Sequence, residues 1–332
     1  MVNQIKTIHG VVLSGSEAET ILDSALKQSH IFEYSCKNGQ CGVCKTTLVE
    51  GTVHELFPQI ALSREDHAKN KILTCCCAPV SDLLIDAEDL SALHGIDVKT
   101  LPCRIKSISY PVENITEIIL RLPPTAQFNF LEGQYVDIIG PNSIRRSYSI
   151  ASSSSAAEIT LYIKRVTNGQ LSQYWFGEAK QNDLLRLEGP KGTFYLRGNH
   201  HKLIFLATGT GIAPIIATLN KLEENALQGD DFGFDIELYW GNRYEHEFFW
   251  QPEYKNIKVK FTSVVSQPSS EWGGSIGYVQ DVLLDKTTLS DDCEVYACGS
   301  QSMIESARMK LLDEGLAEAC FFSDAFVSST TN

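Results

Sequence analysis

Three closely spaced cysteines constrain this chain more than any other feature. Cys36, Cys41 and Cys44 follow the spacing C-x4-C-x2-C, and Cys75 comes later in the chain. Four thiolates at this spacing are typical ligands of a [2Fe-2S] cluster. Glycines between the first three cysteines allow the backbone to curl round two irons and to aim amide groups at the sulfides. We therefore predict that Cys36, Cys41, Cys44 and Cys75 ligate a [2Fe-2S] cluster.

Other uses of these thiols agree less well with the spacing. A structural zinc site would need two C-x2-C pairs or a Cys/His pair, and disulfides need an oxidising compartment. The fourth ligand stays open among the consecutive Cys75, Cys76 and Cys77. We favour Cys75, because the preceding Ile72-Leu73-Thr74 makes the segment resemble the Leu-Thr-Cys segment of plant-type ferredoxins.

Length and charge limit the remaining possibilities. A chain of 332 residues is too long for one ordinary core and suits two or three domains of about 100 to 150 residues. The net charge of −13 argues against a nucleic-acid partner. No apolar run approaches the roughly 18 residues of a membrane span, and the N-terminus has no apolar signal region. We expect a cytoplasmic protein with neither nucleic acid nor membrane as a partner.

The sequence pattern changes twice, which predicts domains over residues 1–95, 101–198 and 199–332. In the first, Ile5–Ile8 and Val11–Leu13 predict a strand pair, and Glu17–Gln28 has one apolar helical face. A second helix is expected to begin at Ser63, with Asp66 as its capping partner. This order resembles the β-grasp fold of plant-type ferredoxins. The mixed polarity of Leu90–Thr100 predicts a linker.

The second domain has short strands separated by turns. An antiparallel β-barrel is expected from this spacing. The predicted strands are Cys103–Ser109, Ile115–Leu122, Gln134–Ile139, Ser147–Ile150, Ile159–Lys164 and Asp183–Leu187.

Within this domain, Arg146-Ser147-Tyr148-Ser149 matches the R-x-Y-S motif of ferredoxin-reductase-type flavin domains. The resemblance implies bound FAD, with Arg146 on the pyrophosphate, Tyr148 against the flavin ring and Ser149 near flavin N5. It also implies a second FAD-contacting segment that begins at the end of a strand and continues into a helix. Its expected contact residues are Ile163, Lys164, Gly169 and Ser172.

The third domain begins with a strand that is apolar throughout, Lys202–Ala207, and alternates strands with helices afterwards. This pattern predicts a doubly wound parallel α/β sheet. The expected strands are Ile236–Trp240, Val259–Val265 and Glu294–Cys298, and the expected helices are Ala213–Leu222, Gly277–Leu284 and Ser302–Asp313.

The segment Gly209-Thr210-Gly211-Ile212-Ala213-Pro214 resembles the G-T-G-x-A-P turn of the same reductase superfamily. The resemblance implies that Gly209, Thr210, Gly211 and Pro214 bind a nicotinamide dinucleotide. It also implies that Cys298 and Gly299 lie beside the nicotinamide, that Ser149 and Cys298 act in catalysis, and that Phe326 is a candidate cover for the flavin ring.

The end of one strand predicts the choice of dinucleotide. The segment Tyr239-Trp240-Gly241-Asn242-Arg243 is expected to lie at the adenosine half of the dinucleotide, with Arg243 as a contact residue. Arg243 is the one basic residue there, and Glu245 and Glu247 follow it. Carboxylates would repel a 2′-phosphate. We therefore predict that NADH is preferred over NADPH.

The order of the three domains resembles the reductases of multicomponent oxygenases and their relatives. Three segments resemble, more narrowly, the CDP-6-deoxy-delta-3,4-glucoseen reductase family: Ile72-Leu73-Thr74-Cys75-Cys76, Tyr296-Ala297-Cys298-Gly299-Ser300 and Phe321-Phe322-Ser323-Asp324-Ala325-Phe326-Val327. The resemblance implies electron transfer from NADH through FAD and the cluster to a partner enzyme. That partner is expected to be a pyridoxamine-phosphate-dependent sugar dehydrase of 3,6-dideoxyhexose biosynthesis. An oxygenase component is the alternative partner, and a redox-sensing binding module is an alternative from another class.

Overall fold

The computed structural model describes residues 2–230 and 233–326, and it divides into two compact units. One unit runs to Ile96, and the other spans Asp97–Phe326. The predicted boundaries near 95, 101 and 198 stay predictions. Residues 327–332 of the third predicted domain, including Val327, lie outside the described residues.

A mixed five-stranded sheet forms the first unit, in the order β2-β1-β7-β3-β5, with a two-stranded β4-β6 sheet beside it. Ile5 faces Leu13 in the antiparallel β1-β2 pair, which confirms the predicted hairpin. β7 joins β1 in parallel. The strands are β1 (Val2–Thr7), β2 (Val12–Ser16), β3 (Lys45–Glu50), β4 (Val53–Glu55), β5 (Lys71–Leu73), β6 (Cys77–Pro79) and β7 (Leu83–Ile85).

Two helices of this unit are set by their caps. Helix α1 (Ile21–Lys27) is shorter than predicted, because Thr20 accepts a hydrogen bond from the Asp23 amide and so begins the helix there. Helix α2 (Arg64–Ala68) has the predicted capping box, in which Ser63 and Asp66 satisfy each other's backbone amides.

The predicted linker is more ordered than expected. Leu90 and Leu93 are buried, and the Leu90 amide donates to the Ile31 carbonyl at 2.8 Å. The next strand already begins at Lys99. The mixed polarity of this stretch therefore reflects two buried leucines among exposed residues, and the boundary between the two units, after Ile96, falls within it.

The antiparallel barrel of the second unit is as predicted, with six strands in the order β11-β10-β13-β8-β9-β12. It closes where Ala151, just after β11, donates to the Thr160 carbonyl of β12 at 2.8 Å. A short helix, α3 (Gln170–Gln173), continues into one π-helical turn. The strands are β8 (Lys99–Val112), β9 (Ile115–Arg121), β10 (Tyr135–Ile139), β11 (Arg145–Ser149), β12 (Glu158–Lys164) and β13 (Leu184–Lys191).

A six-stranded parallel sheet completes this unit, in the order β17-β16-β15-β14-β18-β19. The order reverses beside β14, so its carboxyl end is the place where such sheets bind ligands. Edge strands β17 and β19 were not predicted. The elements are β14 (Lys202–Thr208), α4 (Ile212–Leu227), β15 (Asp235–Asn242), β16 (Val259–Val265), β17 (Ser275–Ile276), α5 (Val279–Lys286), β18 (Cys293–Ser300), α6 (Gln301–Asp313) and β19 (Phe321–Phe326).

Among the residues described, none of the helices combines the length and the apolar character needed to span a membrane.

Candidate functional site

The four predicted cluster cysteines lie in two pairs. Cys44 Sγ is 3.1 Å from Cys75 Sγ, and the Cys41 amide nitrogen is 3.4 Å from Cys36 Sγ. Within residues 2–230 and 233–326, no three His, Cys, Asp or Glu side chains are grouped to hold a single metal ion. Two pairs suit a two-iron cluster, because each iron takes two protein ligands.

The surroundings favour a thiolate at one cysteine of each pair, Cys36 and Cys75, whereas hydrogen bonding to these partners and burial raise the pKa of Cys41 and of Cys44. Hydrogen bonding from the Cys41 thiol lowers the pKa of Cys36 to about 6, and the amides of Asn38, Gln40 and Cys41 act in the same direction. The thiols of Cys44 and Cys76 lower the pKa of Cys75 to about 4, with help from the Gly39 amide. Backbone amides directed at sulfur are what a thiolate-bound cluster needs. The loop therefore fits the cluster.

Gly39 allows the loop to approach the segment that follows β4. Its φ is +77°, and a Cβ there would lie 2.3 Å from the Pro58 carbonyl oxygen. The Ala61 amide donates to the Gly39 carbonyl at 2.9 Å. A side chain at position 39 would thus push the loop away from its support.

The geometry bears on the fourth ligand. Cys75 is the partner of Cys44, whereas Cys76 Sγ lies 3.6 Å from Cys75 Sγ and Cys77 lies on β6 opposite Glu55. This arrangement favours Cys75, and the ligand set stays a prediction.

In the barrel, two neighbouring arginines on β11 differ in their partners. Arg145 pairs with Asp137 at 3.2 Å and with Glu188 at 2.6 Å. Arg146 instead donates to the Arg145 carbonyl at 2.7 Å and, among the described residues, pairs with no carboxylate. Arg146 thus has a cationic group to offer an anion such as the FAD pyrophosphate.

Tyr148, on the same strand, is held by Trp175. The indole Nε1 donates to the Tyr148 hydroxyl at 3.0 Å, and the two rings meet edge to face at 6.3 Å. Burial raises the pKa of Tyr148 to about 12, so the phenol stays neutral. Ser149 follows and is buried. These residues form a fixed aromatic wall beside a hydroxyl, which suits the predicted contact with FAD.

The four residues of the second predicted FAD segment lie in different surroundings. Gly169 is the N-cap of α3, and the Ser172 hydroxyl accepts from the Val166 amide at 2.9 Å. Ile163 is buried in the barrel core, which leaves its backbone as the possible contact. Lys164 points elsewhere, to within 3.8 Å of Glu247.

A pocket of about 640 Å³ opens at the carboxyl end of the parallel sheet. Lys164, Gly209, Thr210, Arg243 and Phe326 of the predicted contact residues line it. Gly211, Pro214, Cys298 and Gly299 do not. Of the residues predicted to bind the dinucleotide, Gly209, Thr210 and Arg243 thus reach the pocket wall, whereas Lys164 and Phe326 were predicted to contact FAD.

The two glycines of the G-T-G turn have different tasks. Gly209 has φ +54° and open space where a Cβ would be, and the Trp240 indole donates to its carbonyl at 2.9 Å. A Cβ on Gly211 would lie 2.2 Å from the Cys298 carbonyl oxygen. Gly209 therefore leaves room in the pocket, whereas Gly211 lets α4 approach β18.

Cys298 contributes its backbone to this approach rather than its thiol. The side chain is fully buried within the apolar core, where burial and Asp324 raise the thiol pKa. Gly299 follows with φ +140°, and a Cβ on it would lie 2.2 Å from Thr208 Oγ1. The catalytic role of Cys298 beside the nicotinamide stays a prediction, as does that of Ser149.

Sequence reasoning missed two polar side chains of the pocket. Asn242 Nδ2 and Gln280 Oε1 are buried without a hydrogen-bond partner, and both residues line the pocket. Buried orphan groups of this kind need partners, and the donor and acceptor suit the hydroxyls and amides of a dinucleotide. Their positions at the end of β15 and the start of α5 were the available signal.

Of the two glutamates predicted to repel a 2′-phosphate, only Glu247 lines the pocket. Glu247 accepts from the amides of Arg243 and Tyr244. Glu245 turns outward and accepts from the Ser269 amide at 3.4 Å. Glu247 is therefore the carboxylate that a 2′-phosphate would meet.

Three family models match the chain. They are a 2Fe-2S iron-sulfur cluster binding domain over residues 6–80, an oxidoreductase FAD-binding domain over 102–195 and an oxidoreductase NAD-binding domain over 205–309. Together they support the three predicted cofactors and the predicted fold classes.

Individual proteins match along nearly the whole chain. The chain is 41% identical to the CDP-6-deoxy-L-threo-D-glycero-4-hexulose-3-dehydrase reductase of Yersinia pseudotuberculosis, covering 96% of this chain and 97% of that one. It is 31% identical to the phenol hydroxylase P5 protein of Acinetobacter pittii, over 96% and 93%. In fold it resembles a cytochrome P450 reductase from Amycolatopsis, with a TM-score of 0.74 and 20% identity over 99% and 100%.

Proposed function

Because this chain belongs to the family of CDP-6-deoxy-L-threo-D-glycero-4-hexulose-3-dehydrase reductases, we propose that it supplies electrons to a pyridoxamine-phosphate-dependent CDP-sugar 3-dehydrase in 3,6-dideoxyhexose biosynthesis. The chain itself is an iron–sulfur flavoprotein reductase with NAD-, FAD- and [2Fe-2S]-binding domains. The observation that carries the proposal is the identity of 41% across all three domains, against 31% for the phenol hydroxylase P5 protein.

A bound flavin would supply the conversion between the two electrons of a hydride and the single electrons that a cluster accepts. The chain's own residues provide position and charge. We propose that Arg146 binds the FAD pyrophosphate, that Tyr148 and Ser149 orient the ring system, and that the Gly209 turn admits the dinucleotide. Cys36, Cys41, Cys44 and Cys75 would hold the cluster.

The residue after Cys298-Gly299 favours the dehydrase-reductase family. Many oxygenase reductases are expected to carry two prolines after this Cys-Gly pair. Ser300 stands there instead, caps α6 through its hydroxyl, and donates its amide to Thr208 Oγ1 at 3.0 Å. Proline has neither the hydroxyl nor the amide hydrogen. The difference changes how β18 ends without altering the electron carriers.

Reconstitution tests the proposal. The purified holoprotein and NADH would be added to a pyridoxamine-phosphate-dependent CDP-sugar dehydrase with its substrate, and the products separated by chromatography and mass. We expect a 3-deoxy sugar nucleotide, and none with a Cys44→Ser variant. Turnover of an oxygenase component, with no sugar product, would favour the alternative partner. If neither partner accepts electrons although NADH reduces ferricyanide rapidly, this assignment of the partner is wrong.

A further inference from the structure

Cys76 is a fully buried thiol beside the proposed cluster ligands, and the proposed function leaves it without a role. Its Sγ lies 3.6 Å from Cys75 Sγ, and its exposed fraction is 0%. It also packs against the cluster loop, since a Cβ on Gly39 would lie 2.8 Å from Cys76 Sγ. A third thiol, Cys77, is equally buried but belongs to β6, opposite Glu55.

We propose that the Cys76 thiol donates a hydrogen bond to the sulfur of Cys75 and thereby raises the reduction potential of the [2Fe-2S] cluster. The inference rests on the proposed ligand set, in which Cys75 is a ligand and Cys76 is not. It does not depend on which partner enzyme accepts the electrons.

The direction of the hydrogen bond follows from the chemistry of the two sulfurs. A coordinated cysteine sulfur carries no proton and can only accept, whereas a free thiol can donate. The competing acceptor is the Pro58 carbonyl oxygen, also 3.6 Å from Cys76 Sγ. Hydrogen bonds to an anionic acceptor are stronger than those to a neutral carbonyl. The thiol hydrogen is therefore expected to turn toward Cys75.

The effect on the potential follows from charge. The reduced cluster carries one more negative charge than the oxidised cluster, so a donor on a ligand sulfur stabilises the reduced form more. Cys75 and Cys76 are both buried, at 3% and 0% exposure. Water has little access to replace the lost donor, and a hydrogen bond in such surroundings is electrostatically strong.

The test is a potentiometric titration of the cluster in the full-length holoprotein, followed by electron paramagnetic resonance. In Cys76→Ala, the ratio of reduced to oxidised cluster at the wild-type midpoint should fall by roughly three- to tenfold, and tenfold corresponds to about 59 mV for one electron. Cys77→Ala is the matched control, because it removes a buried neighbouring thiol that is not the hydrogen-bond donor. Its midpoint should equal that of the wild type.

A conservative variant separates the hydrogen bond from packing. Cys76→Ser retains a donor, so its midpoint should lie closer to the wild type than that of Cys76→Ala. Cys76→Val fills the site without a donor, and it replaces the alanine variant if the alanine cavity prevents cluster assembly. Its midpoint should be as low as expected for alanine.

Three results would overturn the proposal. The first is a wild-type midpoint in the donor-free variant with a normal cluster spectrum. The second is a serine midpoint as low as that of the donor-free variant. The third is a normal cluster in Cys75→Ser, because Cys76 would then be a ligand itself.

Discussion

The cluster loop takes three of its four predicted ligands from residues 36–44, whereas the dinucleotide pocket draws its walls from the ends of β14, β15, β16 and β18. In the loop, side-chain sulfurs would contact the cluster, and the backbone bends to bring them together. In the pocket, backbone groups form much of the contact surface, and side chains such as Trp240 hold the turn in place. Substitutions in the loop should therefore remove cluster ligands. Substitutions in the pocket should change how closely backbone segments and the dinucleotide can approach each other.

The largest expected effect is in the loop. Cys44→Ser removes the partner of Cys75, so the visible spectrum of the cluster should be abolished or strongly perturbed while FAD stays bound. Cys77→Ser is the control and should keep a normal spectrum. A normal cluster in Cys75→Ser together with its loss in Cys76→Ser would show that the fourth ligand has been assigned one residue too early.

The two neighbouring arginines of β11 give the next test. Arg146, unlike Arg145, pairs with no carboxylate among the described residues. Arg146→Ala should weaken FAD binding by about 10- to 100-fold, the range of a lost charged hydrogen bond. Arg145→Ala breaks ion pairs with Asp137 and Glu188 and should retain most of its FAD. Flavin content after dialysis, measured by absorbance, compares the two. Equal flavin loss in the two variants would contradict the proposal that Arg146 binds the FAD pyrophosphate.

The turn glycines should separate stability from binding. Gly211→Ala forces a Cβ against the Cys298 carbonyl, and we expect a loss of about 1–3 kcal/mol in the free energy of unfolding. Gly209→Ala has open space and pays about 1 kcal/mol for its positive φ, but its methyl group enters the pocket and should raise the KM for NADH. Thermal unfolding and steady-state kinetics measure both. Greater destabilisation by Gly209→Ala would contradict this division.

The smallest expected effect concerns the choice of dinucleotide. NADH should be preferred over NADPH at least tenfold in kcat/KM, or about 1.4 kcal/mol, because Glu247 lines the pocket. Glu247→Gln keeps the side-chain length and should narrow the preference, whereas Glu245→Gln should change it little. Equal efficiency of the wild-type protein with both dinucleotides would refute the assignment.

The contrast between the two regions also explains what the sequence could predict. The C-x4-C-x2-C loop, the Ser63 cap and the G-T-G turn are short patterns of neighbouring residues. The structure confirms the cap, and the cluster ligands stay a prediction. Asn242 and Gln280 come to line one pocket only through the fold, so their unpartnered atoms could not be found from the sequence. The same holds for Leu90 and Leu93, whose burial within the predicted linker depends on contacts with distant residues such as Ile31.

The different positions of Glu245 and Glu247 likewise could not be predicted from the sequence. The two side chains are close in sequence, but a short 3-10 turn at Glu245–Glu247 directs one to the pocket and the other to Ser269. Cys298 is a similar case. The family resemblance implies that it lies beside the nicotinamide, but only the structure shows that its side chain is buried in the apolar core, and its catalytic role stays a prediction.

The proposed electron path begins at the FAD domain and ends at the cluster. The most direct measurement compares two activities of the Cys44→Ser protein with those of the wild type: NADH-dependent reduction of ferricyanide and NADH-dependent reduction of the partner enzyme. We predict that ferricyanide reduction stays largely intact and that partner reduction collapses. A variant that loses both activities while it retains full FAD and an intact fold would contradict the order of electron transfer.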